Sequence, residues 1–248
     1  TIKLPKAQKT VVYGIAIAGG LGTYLLLGQR VGGGMGMPRF ESAEVGNLEL
    51  TWLVPLSLIG TVCGWLYFVS EHASEALSHA IGERPVVKAM LAGLALAICG
   101  TVLPYTMFAG ETQADVLMET YLTIPAGVLI ATGLVKAMLT PALINLGWRG
   151  GHFFPVIFSG VSLGYGLAIL TGADPVFCVA VCTASTMGAV MRQPVMVVGL
   201  LLMCFPLKGI VCMIIAAVIA AGIPLPNPLR KKQGRERSVQ TSQVRFGL

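Results

Sequence analysis

Long apolar stretches that carry almost no charged side chains dominate the chain. They lie at about 11–28, 51–70, 87–104, 124–146, 153–171, 175–191 and 194–221. Charged residues make up only 11% of the sequence, whereas soluble domains contain about 25%. Glycine and proline interrupt many stretches, and several are shorter than the ~20 residues that a straight span requires. The sequence therefore predicts an all-α, polytopic membrane protein of roughly eight to ten helices, several of them short, tilted or re-entrant. We expect the last stretch, 194–221, to be divided into two helices near Pro206.

Basic residues are concentrated at the two ends of the chain. They are Lys3, Lys6 and Lys9 at one end, and Arg230, Lys231, Lys232, Arg235, Arg237 and Arg245 at the other. By the positive-inside rule, both ends face the cytoplasm and the loop at 29–50 faces outside. This predicts a multi-pass protein of the inner (plasma) membrane with a cytoplasmic lead-in at 1–10, a membrane domain at 11–222 and a basic tail at 223–248. Because the tail lacks interleaved aromatic residues, it favours anionic lipid over nucleic acid as its partner.

One run of residues predicts a helix that breaks and restarts near the middle of the membrane. It reads Arg149-Gly150-Gly151-His152-Phe153-Phe154-Pro155. The two glycines let the backbone approach a ligand, and Pro155 suits the first turn of a new helix. The free N–H groups of His152, Phe153 and Phe154 would then point outward at the positive end of the helix dipole. Since such donors are tolerated in a bilayer only inside protein or beside a polar cavity, the run predicts an anion pathway.

Three motifs in order resemble the chloride channel and transporter (CLC) family, of bacterial type. The first is Gly147–Pro155 followed by Gly160, Gly164 and Gly166, which is similar to the family's G-x-F-x-P signature and its helix. The second, Gly188–Pro194, is similar to the turn that ends in Arg-x-Pro. The third, Leu103–Glu111, resembles a segment of bacterial members. The resemblance runs from about residue 11 to about 222 and implies transport of chloride or a similar small anion, as a channel or as an anion/proton exchanger.

The resemblance covers only the second half of the family's inverted repeat. The family's G-S-G-I-P and G-x-E-G-P motifs are missing, and no tyrosine follows Gly222. The chain also lacks an initiator methionine, so we expect it to be processed or to be part of a longer transporter whose N-terminal half supplies the remaining ligands. The family implies a homodimer, with the interface at about 11–28 and 194–221. It also implies that the main-chain amides of His152 and Phe153 hold the anion, with that of Phe154 next in line.

Several other polar residues are candidates for function. Lys136 lies deep in an apolar stretch, where it either pairs structurally or attracts anions, and Arg149 either attracts anions or extends to the interface. His152 replaces the family's usual aliphatic residue, so its ring either moves protons, makes a local hydrogen bond or faces outward, and we favour the last two alternatives. His72, Glu75 and His79 share a helical face, but a polar helix end explains them better than a metal site does. We expect no cofactor beyond the chloride ligand.

Three classes of function remain open from the sequence. Anion transport leads, because an exposed cluster of amides at a broken helix has no use in a scaffold. A non-transporting membrane scaffold would need only Gly/Ala-rich helix faces, which the chain has. An intramembrane enzyme would need paired catalytic groups, and the apolar stretches offer only the isolated Lys136 and His152. We therefore expect a transporter and not an enzyme.

Overall fold

The computed structural model describes residues 38–225 together with Ile15, Gly19 and Thr23. The chain divides into two compact units, and residues 38–225 belong to the unit that runs from Pro38 to Lys232. The predictions for the lead-in at 1–10, the stretch at 11–28 and the tail at 223–248 lie wholly or largely outside the described residues. The domain boundaries at 10 and 222 thus stay predictions.

Residues 38–225 form an all-helical structure without strands, as the sequence predicts. The eight α-helices of this part are α1 (Asn47–Ile81), α2 (Pro85–Val102), α3 (Glu111–Thr120), α4 (Ala126–Asn145), α5 (Phe153–Thr171), α6 (Pro175–Met191), α7 (Pro194–Leu201) and α8 (Ile210–Gly222). Short 3₁₀ turns at Pro104–Thr106 and Tyr121–Thr123 flank α3. Helices α1, α2, α4 and α5 are long and apolar enough to cross a membrane.

The predicted stretches agree with the helices best where proline marks a helix start. Helices α5 and α6 begin and end at the same residues as the apolar stretches 153–171 and 175–191. Pro175 is the first residue of α6, and the Asp174 side chain caps this helix by accepting a hydrogen bond from the Phe177 N–H. The last stretch is two helices, and Pro206 lies in the break between them. By contrast, α1 continues eleven residues past the apolar stretch at 51–70, because its polar end contains neither glycine nor proline before Gly82.

Helices α5 and α6 form the buried centre of the described unit. Helix α4 packs on the other side of α5, whereas α1 and α8 pack against α6. Two G-x-x-x-G pairs bring the backbones together: Gly160 and Gly164 of α5 face the backbone of α6, and Gly60 and Gly64 of α1 face an adjacent surface of α6. Small residues at this spacing let membrane helices approach closely.

Hydrogen bonds join α1 to the C-terminal half of α4, just before the chain breaks. The Asn145 amide donates to the Glu71 carbonyl at 3.0 Å and to the Ser74 hydroxyl at 2.9 Å. The Ser70 hydroxyl donates to the Met138 carbonyl at 2.6 Å. Helix α4 therefore ends at a place that α1 fixes, and this also fixes where the next segment starts.

Candidate functional site

The break between α4 and α5 begins with a glycine that ends α4. Gly147 has a φ of 97°, which only glycine adopts readily. Its N–H donates to the Ile144 carbonyl at 3.0 Å, and the Trp148 N–H donates to the Leu143 carbonyl, also at 3.0 Å. These two bonds are those of a Schellman motif, which closes a helix end. The chain then runs without helical bonds from Trp148 to His152.

Helix α5 restarts with unpaired backbone donors, as the sequence predicts. His152 precedes the helix, and its carbonyl accepts the first helical bond from the Val156 N–H at 3.1 Å. Pro155 is the third residue of the helix and has no N–H to donate. The N–H groups of His152, Phe153 and Phe154 donate to no described residue. They therefore lie free at the positive end of the α5 dipole, an arrangement that suits an anion.

The side chains of these three residues differ in their surroundings. His152 is exposed, and its ring lies 6.3 Å from the ring of Tyr67 of α1 between centroids. Phe153 and Phe154 are half-buried and meet edge to face at 5.5 Å. Both phenylalanines pack against the hydrophobic core, so their side chains fix the helix start while their backbone remains open.

A cavity of about 390 Å³ lies beside the break. We call it the break cavity; its wall comes from α2 (Leu96), from residues 106–109, from the last three turns of α4, from residues 148–151 and from Pro155. It brings together five of the residues that the sequence singles out, namely Lys136, Arg149, Gly150, Gly151 and Pro155. His152, Phe153 and Phe154 do not line it, so the predicted site residues fall into two groups: those that line the cavity and those that do not.

Lys136 is buried, with 4% of its surface exposed, and its ammonium group is fully bonded. It donates to the carbonyl of Thr106 at 2.6 Å, to that of Phe108, and more weakly to that of Met107 at 3.4 Å. The ammonium also lies 5.9 Å from the centre of the Phe158 ring. An ammonium has three protons to donate, and three carbonyls take them. Lys136 therefore holds residues 106–108 in place and adds positive charge, but has no donor left for a ligand.

Residues 106–110 make a turn that the sequence does not predict. Phe108 has a φ of 57° and Gly110 one of 107°, so both are left-handed. Only the glycine was visible as a signal in the sequence. The turn brings three carbonyls to Lys136 across a sequence separation of 28 to 30 residues.

The candidate metal ligands His72, Glu75 and His79 lie outside this region. His72 and His79 are on the polar end of α1, where the His79 ring is 3.8 Å from the Glu75 carboxylate. Among the described residues no three His, Cys, Asp or Glu side chains are grouped to hold a metal ion. Glu111, Asp115 and Glu119 lie on α3, as a polar helix face; burial and then the nearby Glu119 raise the pKa of Asp115.

The described fold is that of an α-helical membrane protein in which a broken helix presents backbone donors. The chain belongs to the voltage gated chloride channel family, whose model matches residues 6–224. This confirms the resemblance drawn from the motifs and makes the protein a multi-pass membrane protein. Among curated proteins, no sequence matches the chain.

A solved structure shares the fold. It is the crystal structure of a CLC-type fluoride/proton antiporter, with a TM-score of 0.64 and 20% sequence identity. The match covers 79% of this chain and 49% of the antiporter chain. The chain therefore spans about half the length of that protein.

Proposed function

We propose that the chain supplies one half of an anion transporter, and that the start of α5 holds the anion. The family to which the chain belongs supports transport of a small anion across the membrane, as a channel or as an anion/proton exchanger. The observation that carries the location is the set of unpaired N–H groups at His152, Phe153 and Phe154. Backbone donors suit a conducted ion, because partial charges bind it without holding it as tightly as a full cation would.

Chloride is the anion that the family name suggests, and fluoride is the anion named for the solved relative. A membrane scaffold would also use the glycine-lined helix contacts, but it has no need of unpaired donors at a helix start. An intramembrane enzyme needs a pair of catalytic groups, whereas the Lys136 ammonium is taken up by three carbonyls. Anion transport is thus the function that the geometry supports best.

A crystal soaked in bromide tests the location of the anion. We expect anomalous density about 3–3.5 Å from the nitrogens of His152 and Phe153, at the N–H···anion reach of a large halide. Replacing Phe153 by its α-hydroxy acid analogue removes that N–H and keeps the ring, and it should weaken halide binding. The same replacement at Val195 is the matched control, because Val195 is also an unpaired first-turn donor, in α7. Density only beside Arg149 would contradict the proposal.

A second expectation concerns the anion ligands that the other half of the transporter is proposed to supply. If the other half of the transporter completes the site, the purified 248-residue chain alone should not carry chloride into liposomes. Flux should return when that half is present. Chloride flux from this chain alone would contradict the half-transporter proposal and would indicate that two copies assemble a pore.

A further inference from the structure

The break cavity is far larger than the anion that the start of α5 is proposed to hold. Its volume is about 390 Å³, which falls in the roughly 300–1,000 Å³ range of pockets for small organic ligands. A water molecule takes only about 30 Å³ of liquid volume, and a bare halide is of the same order. The cavity thus has room for a ligand with a sizeable apolar part.

The wall of the break cavity is apolar over most of its extent. The apolar side chains include Leu96, Met107, Leu139, Leu143, Ile144 and Trp148. Arg149 supplies a positive charge beyond the end of α4. Lys136 supplies a second one nine residues before the last residue of α4, about 13 Å away along the helix axis. The positive end is therefore the one at Arg149, and no acidic residue is among the described residues that line the cavity. An apolar wall with a positive end is complementary to a molecule that has an apolar body and a negative head.

The positive end also has donors available. Arg149 is exposed and has no bonded partner among the described residues. The N–H groups of Gly150 and Gly151 donate to no described residue either, and the space where their Cβ atoms would lie is open. The Lys136 donors are already used, whereas Arg149 and the two glycine N–H groups are available at one end of the cavity to contact a negative head.

We propose that the break cavity binds an amphipathic organic anion. Its carboxylate or phosphate head contacts Arg149 and the N–H groups of Gly150 and Gly151, and its apolar chain lies between α2 and α4 beside Trp148. This site is separate from the N–H groups of His152 and Phe153. A ligand bound here therefore does not require that those groups hold a halide, and the two proposals can fail independently.

Trp148 provides a direct readout, since it lines the cavity. The purified chain in phosphatidylcholine nanodiscs is titrated with decanoate, and its tryptophan fluorescence is recorded with and without Trp148→Phe. We expect a saturable change that Trp148→Phe removes. Arg149→Gln should weaken the binding of decanoate by about ten- to hundredfold, which is the usual effect of losing a hydrogen bond to a charged group. Lys208→Gln removes an exposed positive charge outside the cavity and should leave binding unchanged.

Three further arms make the test discriminating. Decanol has the same chain without the charge and should bind far more weakly than decanoate. Leu143→Phe adds bulk to the apolar wall and should weaken decanoate binding without touching the positive end. Anionic phosphatidylglycerol in the nanodisc distinguishes the two sources of such a ligand. If the natural ligand is a lipid, phosphatidylglycerol should compete with decanoate for the cavity. If the natural ligand is a free fatty acid, phosphatidylglycerol should leave decanoate binding unchanged. Equal titrations by decanol and decanoate, or an unchanged affinity in Arg149→Gln, would overturn the proposal.

Discussion

Single residues in this structure carry roles that their type alone does not reveal. An ionisable residue inside a membrane domain is costly and commonly functional. From the sequence, Lys136 has two possible roles, structural pairing and anion attraction. The structure shows the pairing, because the Lys136 ammonium is bonded to the carbonyls of Thr106, Met107 and Phe108. Attraction of anions by its charge stays a prediction, since the charge persists while the donors are used.

Lys136→Met tests the pairing at the residue scale. Methionine keeps the unbranched side chain up to the Cε position and removes the donors, so the buried Thr106 carbonyl loses its partner. We expect a loss of about 1–3 kcal/mol in the free energy of unfolding, measured by denaturation in mild detergent. Lys208→Met, at an exposed position, is the control and should change stability by less than about 0.5 kcal/mol. Equal stability of both variants would mean that the carbonyls bond well without Lys136.

At the scale of elements, the close contact of α5 with α6 depends on glycine. A Cβ added at Gly164 would lie 2.5 Å from the Cα atom of Val179 and 2.8 Å from its nitrogen. These are backbone atoms, which cannot turn aside as a side chain does. The helices would have to separate, and the start of α5 would move with them. The close contact at Gly164 therefore helps to fix the position of the free N–H groups at the start of α5.

Gly164→Ala is thus expected to destabilise the protein although alanine is the better helix former. Overpacking of this kind costs about 1–3 kcal/mol. Gly93→Ala on α2 is the matched control, because nothing lies within 4 Å of the added Cβ; it should be neutral or stabilising by up to about 1 kcal/mol. Thermal unfolding of the two variants in the same detergent makes the comparison. A Gly164→Ala protein as stable as Gly93→Ala would contradict the close contact.

Local signals explain which elements the sequence could predict. The start of α6 follows from Asp174 and Pro175, and the end of α4 from Gly147. The free N–H groups follow from Pro155 near the start of an apolar stretch. The break cavity had no such signal, because it depends on a turn at 106–110 that contacts Lys136 from another element. Contacts between distant residues are decided by packing, which local patterns do not encode.

At the scale of the whole molecule, exposed apolar surface indicates where the unit meets lipid or protein. Helix α2 has 18 residues, of which only Ala92 and Gly100 are buried. Helices α7 and α8 also present apolar side chains outward, among them Val195, Val211 and Val218. The family resemblance assigns 194–221 to a dimer interface, together with 11–28. Dimerisation stays a prediction, and the surface of α8 is where it can be tested.

Cysteine cross-linking in lipid vesicles tests this interface. Val211 and Val218 are seven residues apart on α8, so both lie on one face, and they are 63% and 52% exposed. We expect Val211→Cys and Val218→Cys to form disulfide-linked dimers on mild oxidation, in a Cys99→Ala background that removes the half-buried native thiol. The other five native cysteines are buried and should stay unreactive.

Leu170→Cys on α5 is the matched control, since that side chain is 66% exposed and lies outside the predicted interface. Diluting the protein in lipid separates specific dimers from chance collisions, because only collisions become rarer in proportion to protein density. Trapping at Val211 and Val218 that survives dilution supports a dimer through α8. Persistent trapping at Leu170 instead would assign the interface to α5 and would contradict the family's arrangement for this chain.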